Sequence, residues 1–153
     1  MDKSRRDVLA AGAAAAGAAL MMNGNAALAA DLSPSPLLKV NRVYAASDGA
    51  SRMEVINLKP LTESLPVLSV SVMAFKKGAI EDWHVSPAKF MVIVTAGIYQ
   101  IELTDGSRVD FGPGEVTYFE NLTGKGHYNR TLSDGVVMAM RLADDFDVSA
   151  LKA

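Results

Sequence analysis

The 153-residue chain has no cysteine, two histidines and one tryptophan. Without cysteine there is no disulfide, no thiolate nucleophile and no sulfur-ligated metal, so burial and hydrogen bonding alone must hold the fold together. An excess of positive charge is also missing, the formal net charge being −2. That balance argues against nucleic acid and anionic membrane as main partners, since both select a basic face. No apolar run reaches the roughly 20 residues of a spanning helix. Beyond the first thirty positions there is no long helical stripe, internal repeat or low-complexity segment. Nucleophile elbow, phosphate-cradling glycine loop and paired-carboxylate signature are absent as well. Any chemistry must therefore rest on few residues, and the two histidines, His84 and His127, are the first to consider.

The N-terminus does carry a pattern. Ser4-Arg5-Arg6-Asp7-Val8-Leu9 resembles a twin-arginine export signal, followed by the Ala/Gly-rich stretch Val8–Met22 and by Ala27-Leu28-Ala29, a small-x-small cleavage pattern. Residues 1–29 are read as a cleavable signal helix cut after Ala29, which places the mature protein in the periplasm or outside the cell, with no stable membrane insertion after cleavage. Of 15 basic and 17 acidic residues, the leader takes Lys3, Arg5, Arg6, Asp2 and Asp7, leaving 12 against 15 in a mature part long enough for one domain. Twin-arginine export carries folded proteins and is compatible with a cofactor loaded before export.

In the mature part, residues 30–38 hold two prolines and two serines without periodicity and read as an extended linker. Residues 39–143 read as one β-domain, and 144–153 as a C-terminal tail with a short turn over 144–151. Strand-length apolar or alternating runs recur at 40–46, 52–58, 67–75, 90–95, 98–103, 107–111, 115–120, 127–132 and 136–142. Turn chemistry separates them, as at Asp48-Gly49, Lys77-Gly78, Ala96-Gly97, Asp105-Gly106 and Asp134-Gly135. The chain is thus predicted all-β, with about eight to nine antiparallel strands closing into a barrel or jelly roll.

Two segments carry a family resemblance. The order Gly78, five residues, His84, one residue, Ser86, three residues, Phe90, six residues, Gly97 keeps the spacing G-x5-H-x-H-x3-E-x6-G. Downstream, Gly112-Pro113-Gly114 and Thr123-Gly124-Lys125-Gly126-His127 precede the second histidine, and Trp83-His84-Val85-Ser86-Pro87 surrounds the first. In these features the chain resembles small single-domain cupins of the RmlC-like jelly-roll superfamily. The resemblance covers about residues 67–142 and implies a barrel whose interior histidines face a small organic ligand, often with one divalent metal: iron, nickel, copper, manganese or zinc. It makes His84 and His127 both the candidate catalytic residues and the candidate metal ligands. Ser86 replaces the usual second histidine and Phe90 the usual glutamate, so only one of the first segment's three ligands is kept. In related proteins a glutamine often stands at the position of Phe90.

Two imidazoles hold a metal weakly, since a catalytic centre usually has three protein ligands and an open position. Glu81, Asp82, Glu120, Asn129 and Tyr118 are the candidate third ligands. Ser86, Phe90, Tyr118, Glu120 and Lys125 are candidate ligand-binding residues, Lys125 because its flanking glycines let backbone approach a bound anion. Trp83 suits packing or a subunit interface better than a substrate platform, and Met73, Met91, Met138 and Met140 suit core filling. If catalytic, the histidines imply a lyase, isomerase or oxygenase-type step; the alternative is a metal-free binding or accessory barrel that has lost its metal ligands. The resemblance also implies a homodimer.

Overall fold

The structure is a computed structural model that describes residues 38–59 and 64–153. The segment 1–29, read from sequence as an export leader, and nearly all of the 30–38 segment read as a linker lie outside the described residues. Ten strands follow in chain order: β1 (Leu38–Ala45), β2 (Ser51–Leu58), β3 (Val67–Phe75), β4 (Ile80–His84), β5 (Phe90–Ala96), β6 (Tyr99–Glu102), β7 (Arg108–Phe111), β8 (Val116–Phe119), β9 (His127–Thr131) and β10 (Gly135–Leu142). They form two sheets, one of six strands in the order β2-β1-β8-β5-β10-β3 and one of four in the order β4-β9-β6-β7.

Side-chain alternation assigns the faces of the larger sheet. Val40, Met91, Val116, Tyr118 and Leu142 point to one side with Ile56, Leu58 and Val148. Val43, Val94, Phe119 and Val137 point to the other, against Ile101, Leu103 and Phe111 of the smaller sheet and its turns. Tail residues cover the first face. Val148, in a short 3-10 turn (Val148–Leu151) that Asp147 caps, is buried, Lys152 bridges to Leu58, and the Ala153 N–H donates to the Asn57 carbonyl at 3.0 Å. Residues 144–153 are therefore part of the domain rather than a loose extension.

Two features differ from the sequence-based expectation. There are ten strands, because β4 was not foreseen: Ile80-Glu-Asp-Trp-His shows neither an apolar run nor a clean alternation. The strands are not all antiparallel, because β1 runs parallel to β8 in the register Asn41↔Thr117 to Val43↔Phe119. Alternation reports the buried face of a strand, not the direction of its neighbour, so a pairing across some seventy residues of chain leaves no local mark. In the β6–β7 hairpin (Tyr99↔Phe111), only Gly106 has positive φ, at 80°, and the turn is closed by the Leu103 and Ser107 backbone at 2.9 Å.

At the outer edge of the larger sheet, β3 is exposed along almost its whole length, Leu68, Val70 and Val72 included. Among the described residues no helix is long and apolar enough to cross a membrane.

Candidate functional site

Antiparallel pairing of β4 with β9 sets His84 directly opposite His127, and partners in such a pair show their side chains on one face. The rings lie with centroids 4.5 Å apart and planes tilted by 51°. Their approach depends on the residue before the second histidine. Gly126 has φ 76°, and a Cβ there would lie 2.2 Å from the His84 carbonyl oxygen, so only glycine lets the two backbones pass this closely.

One position earlier in the pairing, a bulge reshapes β4. Ile80↔Arg130 and Glu81↔Asn129 are followed by His84↔His127, so three steps on β4 match two on β9. In a regular strand Glu81 and His84, three apart, would face opposite ways; the extra residue brings both to the same side. The bulge also orients the imidazole. His84 Nδ1 lies 2.7 Å from the Asp82 carbonyl oxygen. A carbonyl only accepts, so Nδ1 carries a proton, and in the neutral ring Nε2 keeps the lone pair.

These side chains face a cavity of about 220 Å3 between the sheets, somewhat below the roughly 300–1,000 Å3 of common ligand pockets. Its apolar walls include Met73 and Phe75 from β3, Phe90 and Val92 from β5, Phe119 from β8 and Val137 from β10. Its polar groups are Glu81, His84, Ser86, Tyr99, His127 and Asn129. His127 is buried and stacks on Phe119 with centroids 4.9 Å apart. Burial, and then the neighbouring His84, depress its pKa to about 3, so it is neutral at physiological pH. Asn121 Nδ2 donates to His127 Nδ1 at 2.7 Å, which puts the His127 proton on Nε2. The two imidazoles are thus of opposite tautomer: His84 Nε2 accepts and His127 Nε2–H donates.

Of the candidate site residues singled out from sequence, the structure brings His84, His127, Ser86, Phe90, Glu81 and Asn129 to one cavity. Ser86 is turned away chemically, since its Oγ donates to the Ala88 carbonyl at 2.7 Å. Tyr118, Glu120 and Lys125 do not line the cavity. Tyr118 is buried in the core on the far side of the larger sheet, where burial and the nearby Glu120 carboxylate push its phenol upward. Glu120 pairs with Arg42, which also reaches Glu54 at 2.6 Å. Lys125 is exposed, and the glycines around it serve packing: a Cβ on Gly124 would lie 2.5 Å from the Gly49 carbonyl oxygen. Tyr99, Phe119 and Asn121 were not foreseen, and nothing in their spacing marks them.

A catalytic metal needs three protein ligands on one point. Among the described residues no three histidine, aspartate or glutamate side chains converge in that way. Phe90 puts a hydrocarbon wall where a carboxylate would stand. The residues present do not fit a three-ligand metal centre.

No family model matches the chain, and no curated protein sequence matches it. Among solved structures it is similar to a cupin-2 domain containing protein from Shewanella frigidimarina, at 17% identity and TM-score 0.41 over 52% of this chain and 80% of that one. An RmlC-like cupin from the same organism aligns at 16% identity and TM-score 0.42 over 69% and 86%. KdgF from Halomonas sp. aligns at 22% identity and TM-score 0.40 over 59% and 83%. Likeness at this level leaves the site to be argued from its own geometry.

Proposed function

We propose that the chain is a cupin-type barrel that, after export, binds a small organic molecule between its two sheets without a metal, and that its paired imidazoles move a proton on that molecule. The observation that carries this reading is the His84/His127 pair, with centroids 4.5 Å apart in one cavity and opposite tautomers. His84 Nε2 is the base: it takes a proton from carbon beside a carbonyl. His127 Nε2–H, kept neutral by burial, donates a hydrogen bond to the oxygen on which charge develops. Both events belong to isomerase- or lyase-type chemistry. Around them Phe90, Val92 and Phe119 exclude water, which strengthens each polar contact.

The test is proton exchange. Small ketones and aldehydes are incubated in D2O with the mature protein, and loss of the α-proton signal is followed by NMR. Exchange above background is expected for at least one compound, falling at least about a hundredfold in His84→Ala, within the range general bases contribute. If compounds bind but none exchanges, the proton-transfer step is wrong and a binding-only barrel remains, a reading that Ser86 and Phe90 at the family's ligand positions favour.

A further inference from the structure

One end of the cavity has spent its hydrogen-bond donors on itself. Glu81 Oε2 accepts from Asn129 Nδ2 at 2.7 Å and from the Tyr99 hydroxyl at 3.0 Å. A carboxylate only accepts, so these contacts fix both partners: the Asn129 amide must point its NH2 at Glu81, and Tyr99 must give it its proton. Burial and the Glu81 charge push the Tyr99 phenol upward, which keeps that proton in place. What remains is a surface of acceptors. Glu81 Oε1 and His84 Nε2 are acceptors, and among the described residues no lysine or arginine lines the cavity. Arg130, the nearest cation in the pairing, borders an adjoining pocket of about 40 Å3 and turns toward Glu102 at 3.7 Å and the Tyr128 ring.

With the Tyr99 and Asn129 donors already spent on Glu81, an occupant that supplies N–H groups is favoured over one that brings more oxygens. The formal charge of this end is negative and uncompensated among the described residues that line the cavity. Resting on the small-molecule reading above, we infer that the molecule bound here is a small organic amine, held as its ammonium against Glu81, with its apolar body on Phe90, Val92 and Phe119. An ammonium has three donors and one positive charge, which answers both the unpartnered acceptors and the charge. A carboxylate ligand would meet Glu81 at short range and find only the His127 proton to accept.

The experiment titrates the mature protein with benzylamine, benzyl alcohol and benzoate, three probes of nearly equal shape and different charge, and follows the His84, His127 and Asn129 side-chain resonances by NMR. Benzylamine is expected to bind at least tenfold tighter than benzyl alcohol, with benzoate weakest. In Glu81→Gln, whose unfolding midpoint checks that the fold is intact, the amine and the alcohol should bind alike. An equal affinity for amine and alcohol in the unaltered protein, tighter benzoate, or an amine preference that survives Glu81→Gln overturns the inference while leaving a small-molecule cavity in place. If none of the three shifts those resonances, the cavity reading falls and this inference falls with it. Zinc chloride, titrated alone, is the last arm: stoichiometric binding that displaces benzylamine would replace the amine by a metal.

Discussion

At the scale of single residues, two positions carry the geometry of the site. Gly126 is the point at which the chain entering β9 passes the backbone of His84. Gly126→Ala combines a left-handed φ with a contact of 2.2 Å to a backbone oxygen, and a loss of roughly 2–4 kcal/mol is expected in urea unfolding. Gly106→Ala, with a similar φ and nothing within 4 Å, should lose only about 1 kcal/mol. Equal losses at the two sites would show that the approach of the two strands is not what requires glycine at 126. His127 supplies a pH signature. Its pKa falls from 6.5 to about 3 on folding, so the unfolded chain takes up a proton that the folded one refuses. The stability that depends on neutral His127 is whole above pH 6.5 and is lost as pH falls from 6.5 toward 3. Between pH 6.5 and 4.5 the unaltered protein should lose about 2–3 kcal/mol more than His127→Gln in parallel denaturant titrations. Identical pH slopes would mean that the ring is solvated rather than enclosed.

Among the elements, β4 decides most. Its bulge puts Glu81 and His84 on one face and places the Asp82 carbonyl where it holds the His84 Nδ1 proton. Deleting Asp82 restores a regular two-residue spacing between Glu81 and His84, so both still face the cavity while that carbonyl contact is lost. The expected result is a folded protein whose unfolding midpoint corresponds to a loss of about 1–2 kcal/mol, with His84 ring 15N shifts moving from one tautomer toward a mixture. A single unchanged tautomer would show that something other than the bulge orients the ring. This strand was also the least legible one. Strands such as Val67–Phe75 and Gly135–Leu142 announce themselves by apolar content, whereas Ile80–His84 holds two carboxylates and a histidine and breaks its own alternation, because it serves the cavity more than the core.

For the molecule as a whole, two sheets enclose a site that neither could build alone: Glu81, His84, His127, Asn129 and Tyr99 come from the four-stranded sheet, and Phe90, Phe119 and Val137 from the six-stranded one. Because the described residues offer no third converging ligand, protein made in metal-replete medium should hold less than about a tenth of an equivalent of transition metal, and a chelator should leave its melting temperature unchanged within error. Stoichiometric metal by elemental analysis would reverse that conclusion. Local chemistry in the sequence determined the all-β character, most strand positions, the turns and the two histidines as the pair to follow, since alternation and turn residues act within a few positions of themselves. Only the tertiary structure decided the division into two sheets, the parallel β1–β8 contact, which of the candidate side chains reach the cavity, with Glu81 inside and Tyr118 and Glu120 away from it, and the recruitment of Tyr99, Phe119 and Asn121. Those outcomes depend on which distant strands pair and in what register, and a bulge of one residue is enough to turn a side chain from one face to the other.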